Sequence, residues 1–275
     1  MGELAMDEWS KKVGDKLKGY NYDRPFDEGK MQAFFDKREE DANPSKSPSR
    51  KWIMMAAAVS FLILATWGVH FSNGVTKTTQ AGEIASVSLP DGSQVDLGYD
   101  SEISFNKLTW SWNRNVQLDG EAYFEVEKGS TFSVVSKNGI TSVLGTKFNV
   151  YSRENGYTVE CFEGRVKVDS GDQSIELAED EGVDFTKRKK PTRYSVKRKT
   201  PDWKEGELYF SDEDISSVLI ELERVYGVRI DGREKINSQK YSGYFPTDDL
   251  EMALRLVFEP VDVQYELNDK VVTIK

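Results

Sequence analysis

The sequence predicts a single-pass membrane protein with an all-β domain of short antiparallel or solenoid-like strands, followed by a small α+β domain of two βαβ-like units. Three observations carry this expectation. One long run lacks charge, a period-two apolar pattern follows it, and helix-period apolar stripes replace that pattern after Gly206.

The segment before the apolar run, residues 1–51, holds 11 basic and 11 acidic residues. Trp9, Val13, Leu17 and Tyr20 recur at helical spacing and form an apolar stripe, and "MQAFFDKREE" from Met31 suits a second short helix. Gly14, Gly19, Pro25 and Gly29 interrupt the segment, and so short a stretch buries little surface by itself. It reads either as helices that wait for a partner or as a frayed, charged tail. "NPSKSPSRK", residues 43–51, is a Pro and Ser linker.

The apolar run "WIMMAAAVSFLILATWGVHF", residues 52–71, has the length that about twenty helical residues need to cross a hydrocarbon core of about 30 Å. It shows no polar face, so a buried amphipathic helix does not explain it. A cleaved signal peptide would carry a shorter apolar core close to the N-terminus. Lys37, Arg38, Lys46, Arg50 and Lys51 precede the run, whereas only Lys77 lies in the fifteen residues after Phe71. The positive-inside rule then puts residues 1–51 in the cytoplasm and the C-terminal part outside.

Residues 78–186 read as the all-β domain. Apolar residues alternate at Val87 and Leu89, Val95 and Leu97, Ile103 and Phe105, Val116 and Leu118, and through Ala122, Phe124 and Val126. They continue at Phe132 and Val134, Phe148 and Val150, Val159 and Cys161, Val166 and Val168, and Ile175 and Leu177. Turn signals such as Pro90-Asp91-Gly92 and Lys137-Asn138-Gly139 separate them. Residues 187–202 open with "KRKKPTRYSVKRK", eight basic residues and no acid, which reads as a solvated connector between two acidic lobes.

Residues 203–275 read as the α+β domain. Glu207 to Phe210 is expected as strand, with Ser211 as N-cap of a helix whose apolar face is Ile215, Val218, Leu219, Leu222 and Val225. The unit repeats with strand Lys240 to Phe245, Thr247 as N-cap, and a face of Leu250, Ala253, Leu254, Val257 and Phe258 that ends before Pro260. Strands near Val261 to Leu267 and Val271 to Ile274 close the chain.

The formal net charge of -10 argues against a nucleic-acid partner, because phosphate neutralisation needs a basic surplus. One cysteine, Cys161, excludes an intrachain disulfide, and its strand parity makes it a buried, inert thiol. One histidine, His70, excludes histidine triads and histidine zinc sites. "VLGTKFNV" lacks the first glycine of a phosphate loop and reads as strand. Glu121 and Glu125 imitate a carboxylate pair, but alternation turns both outward, onto a solvated face. No catalytic, cofactor or metal residues are expected.

Four ordered motifs resemble the outer β domain of FecR-type anti-sigma factors, the iron-dicitrate transmembrane sensors: "VSLPDGSQVDLG" from Val87, "VQLDGEAYFEV" from Val116, "SVLGTKFNV" from Ser142 and "VECFEGRVKV" from Val159. Trp203 with "GELYF", "LERVYGVRI" from Leu222, "YSGYF" from Tyr241 and "ALRLVF" from Ala253 resemble the C-terminal domain of Bacteroidetes members of that family, itself similar to the short N-terminal domain of secretins and TonB-dependent receptors. The resemblance implies an inner-membrane relay, cytoplasmic at its N-terminus and periplasmic at its C-terminus. Its cytoplasmic segment would bind an extracytoplasmic-function sigma factor, with Trp9, Val13, Leu17 and Tyr20 as the contact face. Its outer domains would meet the signalling domain of a TonB-dependent outer-membrane transporter, with Tyr241, Tyr244 and Phe245 as side-chain contacts beside an open strand edge. The alternatives are a membrane-anchored envelope adhesion or assembly module without a signalling role, and an anchored enzyme whose carboxylates converge only in three dimensions.

Overall fold

The computed structural model describes residues 54–61, 74–186, 190–236 and 239–275. Trp9, Val13, Leu17, Tyr20 and His70 lie outside these residues, as does most of the apolar run. Residues 54–61 are helical, Met54, Met55, Val59 and Phe61 are exposed, and the Ser60 hydroxyl donates to the Ala56 carbonyl at 2.8 Å. Among the described residues no helix is long and apolar enough to cross a membrane. The chain divides into two compact units, Met1–Ile63 and Leu64–Lys275.

The second unit starts with thirteen strands: β1 (Gly74–Thr79), β2 (Ala85–Ser88), β3 (Gln94–Leu97), β4 (Ser101–Asn106), β5 (Arg114–Glu125), β6 (Phe132–Ser136), β7 (Gly139–Val143), β8 (Lys147–Arg153), β9 (Gly156–Glu163), β10 (Arg165–Ser170), β11 (Gln173–Ala178), β12 (Glu181–Asp184) and β13 (Thr192–Ser195). Pairing is antiparallel except between β5 and β6, so the antiparallel alternative holds and the solenoid one does not.

The long strand β5 organises the domain. Its first half pairs with β4 and β6, and its second half pairs with β3 and β8. The change of neighbours falls at Gly120, which has φ 115°, and a Cβ there would lie 2.7 Å from the Ser101 Cα. Only glycine meets both demands. Side chains from the two halves enclose one core, in which Phe124 stacks on Phe148 at 4.9 Å and meets Phe132 edge-on at 6.0 Å.

Every period-two position named from the sequence is buried in this core, apart from Ile175, which packs against it half-buried. Strand β1 had no apolar alternation to reveal it, because "GVTKTT" lies along β4 with only Thr79 buried. Cys161 is fully buried, and burial pushes its thiol up to about 12, which keeps it protonated and inert.

The expected solvated connector is corrected over residues 190–202. Strand β13 extends the sheet by pairing with β12, Val196 is buried, and Arg198 is drawn into ion pairs with Glu160 and Asp202. The basic residues find acids on a neighbouring strand, so the segment folds onto the sheet.

The C-terminal part contains α1 (Asp202–Glu205), β14 (Glu207–Asp214), α2 (Ile215–Tyr226), β15 (Arg229–Asp231), β16 (Lys240–Pro246), α3 (Leu250–Phe258), β17 (Tyr265–Asn268) and β18 (Val271–Ile274). β14 pairs with β16, and β18 lies between β15 and β17. The buried face of α2 is Ile215, Val218, Leu219, Leu222 and Val225, as its spacing predicts, and Gly227 ends the helix at φ 62°. In α3 Ala253, Leu254, Val257 and Phe258 are buried and Leu250 partly so.

Both expected N-caps are displaced. The strand runs past Ser211 through a bulge in which Asp212, at φ 54°, receives the Ser242 hydroxyl as acceptor for its N–H at 2.9 Å. Helix α2 consequently starts after Asp214, and in α3 the Asp249 carboxylate, not Thr247, accepts from the Met252 N–H at 2.9 Å. Nor is the α+β part separate. A third cluster, Tyr123, Phe162, Val196 and Trp203, sits on the face of the β sheet opposite its core, and Tyr99 and Leu208 pack against it and against the C-terminal core alike.

Candidate functional site

Period two gives a strand two faces, and on β5, β8 and β9 the face opposite the core carries Glu121 and Tyr123, Asn149 and Tyr151, and Glu160 and Phe162. These residues do not look onto open solvent. The segment from Tyr194 to Glu213 and helix α2 cover them and leave a cleft of about 240 Å³ lined by Glu121, Asn149, Glu160, Asp202, Glu213 and Glu221 among others.

Helix α1 plants Trp203 in this joint. Pro201 supplies the extended residue before the helix and Gly206, at φ 89°, ends it after one turn. The Trp203 ring is buried with Tyr123 and Phe162, and its Nε1 donates to Asn149 Oδ1 at 3.4 Å. Asn149 in turn donates its Nδ2 to Glu121 Oε1 at 2.8 Å. Lys204 pairs with Asp96 on β3 and sits 4.4 Å from the centre of the Tyr123 ring.

An ion pair on one side and a hydroxyl–carboxylate contact on the other close the joint. Arg198 donates Nη2 to both Glu160 oxygens at 2.7 and 2.8 Å, while the Tyr194 hydroxyl donates to Glu160 Oε1 at 2.8 Å. Arg224 on α2 donates to Glu221 at 2.6 Å, and the Tyr151 hydroxyl of β8 donates to the same carboxylate at 2.7 Å. At the rim, the Gly82 N–H donates to the Arg224 carbonyl at 2.7 Å, so the β1–β2 turn docks on the end of α2.

Burial raises two carboxyls of this cleft, Glu121 and Asp202. Glu121, half-buried, titrates at about 7 because desolvation and the negative charges of Glu221 and Glu160 outweigh the Asn149 hydrogen bond and the Arg153 charge. Asp202 is raised to about 6 by burial despite its Arg198 partner. The expectation of a solvated face is therefore corrected for Glu121, while Glu125 is exposed. Carboxylates do converge here, yet Glu160 and Glu221 are held by arginine and tyrosine partners, which is the chemistry of a clamp. Among the described residues no group of three His, Cys, Asp or Glu side chains is placed to hold a metal ion.

A pH dependence follows. An unfolded glutamate titrates near 4.3, so the folded chain holds the Glu121 proton more tightly. The resulting stabilisation is complete below that value and is lost as pH rises through about 7. Glu121→Gln is expected to flatten the change in stability between pH 5 and 8, by on the order of 1–3 kcal/mol, in urea titrations followed by tryptophan emission.

Of the contact residues named from the sequence, Tyr241 and Phe245 are corrected. Both are buried in the C-terminal core, where the Tyr241 hydroxyl donates to the Leu256 carbonyl at 3.2 Å and Phe245 stacks on Phe210 at 5.4 Å. Tyr244 is exposed and stacks at 5.6 Å on exposed Tyr209 of the neighbouring strand. The edge of β16 away from β14 pairs with no other strand among the described residues. Sequence reasoning missed Tyr209, Glu160, Arg198 and Glu221. The available signal was a run of polar and aromatic residues at outward parity, opposite a tryptophan set in a basic segment.

The FecR protein family model matches residues 76–167, and the model of the FecR C-terminal domain matches residues 207–274. Two crystal structures of a candidate anti-sigma factor from Parabacteroides distasonis ATCC 8503 are similar in fold. One, at 2.50 Å resolution, is 24% identical with a TM-score of 0.68, and the other, at 1.65 Å, is 25% identical with a TM-score of 0.66. Each comparison covers 73% of this chain and 98% of that chain. No curated protein matches.

Proposed function

The chain belongs to the FecR family, and on that premise we propose that it is an anti-sigma factor that relays an outer-membrane transport signal to a cytoplasmic sigma factor. The observation that carries this reading is the ordered pair of family matches, residues 76–167 and then 207–274, with a hydrophobic cluster on the β sheet that packs with the C-terminal core through Tyr99 and Leu208. The apolar run of residues 52–71 serves as the single crossing of the inner membrane. In support, every large apolar side chain of the helical residues 54–61 is exposed, as a lipid-facing helix requires, and the Ser60 hydroxyl is satisfied within the helix.

On the cytoplasmic side, Trp9, Val13, Leu17 and Tyr20 face an extracytoplasmic-function sigma factor. On the periplasmic side, the partner is the signalling domain of a TonB-dependent transporter, which adds a strand to the free edge of β16 beside Tyr244 and Tyr209. Recognition of that kind moves information without chemistry, so the protein acts as a regulator and not as an enzyme.

The test is co-purification of the full-length protein with the host's extracytoplasmic-function sigma factors, joined to a transcription reporter. A buried aromatic anchor at an interface contributes about 2 kcal/mol or more, so Trp9→Ala is expected to weaken the sigma complex by roughly thirtyfold. If no sigma factor is retained, and transcription is unchanged when residues 1–42 are replaced by a neutral tail, the adhesion or assembly reading replaces this one.

A further inference from the structure

We propose that the loop between β4 and β5, with exposed Leu108 and Trp112, rests in the lipid headgroup interface and seats the β domain on the membrane it is tethered to. The inference rests on the reading that residues 52–71 cross the bilayer.

Strand register locates the loop. One rung of the sheet runs through Val75, Phe105, Val116, Val134 and Thr141, on β1, β4, β5, β6 and β7 in turn. One step beyond it, Gly74 pairs with Asn106, and the loop 107–113 caps this end of the sheet. Gly74 is three residues from Phe71, where the apolar run ends, so the chain reaches no further than about 11 Å between them. The end of the sheet that carries the loop is thus tethered within one or two side-chain lengths of the bilayer.

This end carries a group of exposed large apolar side chains. Trp112 is 74% exposed and Leu108 47%, and Leu144, three residues past the rung on β7, is 63% exposed. At the opposite end of β1 the Thr79 hydroxyl donates to the Gly98 carbonyl at 2.6 Å, Ile84 is the exposed large apolar side chain of the turn that follows, and the C-terminal part docks there through Gly82 and Arg224. Indole rings favour the boundary between headgroups and acyl chains because one part of the ring is apolar and its N–H is not.

The loop is rigid enough to present these groups. Asn106 Oδ1 accepts from the Leu108 N–H at 2.9 Å and the Thr109 N–H at 3.3 Å, and the Thr109 carbonyl accepts from Asn113 at 2.8 Å. Trp110 is buried edge-on against Phe105 at 5.6 Å and Phe132 at 6.0 Å, which leaves Trp112 directed outward. The far end of β1 then stands about 20 Å further from the bilayer, and the cleft with Trp203 is held clear of lipid.

The test uses full-length protein in liposomes without any protein partner. In a Cys161→Ser background, Leu108→Cys, Leu144→Cys, Asp172→Cys and Val59→Cys are each labelled with an environment-sensitive fluorophore and quenched by lipids with a nitroxide near the headgroup or deep in the acyl chain. Labels at 108 and 144 are expected to be quenched by the shallow nitroxide, the label at 59 by a deeper one, and the label at 172, in the turn at the far end of the sheet, by neither. Quenching at 59 without quenching at 108 and 144 overturns the inference and leaves the crossing intact. Equal quenching at 108 and 172 overturns it too, because the domain would then lie flat. An unquenched label at 59 removes the crossing and the inference with it.

Discussion

Trp203→Ala is expected to destabilise the part of the protein from Gly74 onward by about 3–5 kcal/mol, the usual cost of removing a buried large aromatic side chain. The effect is not confined to one core. Tyr99 and Leu208 pack both on the cluster around Trp203 and on the C-terminal core, and the indole N–H orients Asn149, which holds Glu121. Loss of the ring leaves the ion pairs Arg198–Glu160 and Lys204–Asp96 and the Tyr151–Glu221 hydrogen bond as polar ties across the joint, and partly exposed ion pairs contribute little by themselves. In urea, a fragment starting at Gly74 should lose the single cooperative transition and unfold in two steps, the C-terminal part first. A single transition with an unchanged midpoint would show that Trp203 does not couple the cores.

Arg153→Met is the second large effect, at about 3 kcal/mol, because a buried guanidinium serves several acceptors at once. Its Nη1 donates to the Asp100 carbonyl at 2.7 Å, and its Nη2 donates to the Tyr99 carbonyl at 2.5 Å and approaches the Ser101 hydroxyl at 3.1 Å. That hydroxyl in turn accepts from the Glu121 N–H at 2.9 Å, next to the Gly120 pivot. A methionine of similar length fills the space and satisfies none of these groups. Hydrogen exchange is the measurement. Amides of residues 100, 101 and 121 should exchange faster, while those of β10 and β11 keep their protection.

On the proposed function, this joint is where the relay would act. Glu121 at about 7 sits between charges already paired, so a modest change in its surroundings shifts the stability with which the C-terminal part is held. A partner strand added to the free edge of β16 would act on the same sheet whose other strand, β14, follows directly from Trp203 and α1. A path from partner to joint is therefore short, and the Trp203 and Arg153 variants supply its first test.

Much of the architecture was legible from local pattern. The apolar faces of β2 to β6, of β8 to β11 and of α2 and α3 came from periods of 2 and 3.6, because those periods record which side of an element meets a core. Cys161 was placed correctly for the same reason. Strand β1 was not legible, since an edge strand with polar side chains has no alternation to read, and it was the register of β1 against β4 that put the loop with Trp112 at the end of the sheet where β1 begins. The caps at Ser211 and Thr247 failed because a bulge and a neighbouring aspartate competed for the same backbone groups.

By itself the sequence determined which residues share a face: Glu121, Tyr123, Asn149 and Glu160 on one side of the sheet, Phe124, Phe148 and Val159 on the other. Only the tertiary structure decided that the first face is covered as well, by Trp203, Arg198 and α2. The reason is that alternation distinguishes two faces of a strand but carries no information about what lies against each. The partner of a polar face comes from chain segments tens of residues away, and its charges and hydroxyls match only once the chain has brought them together.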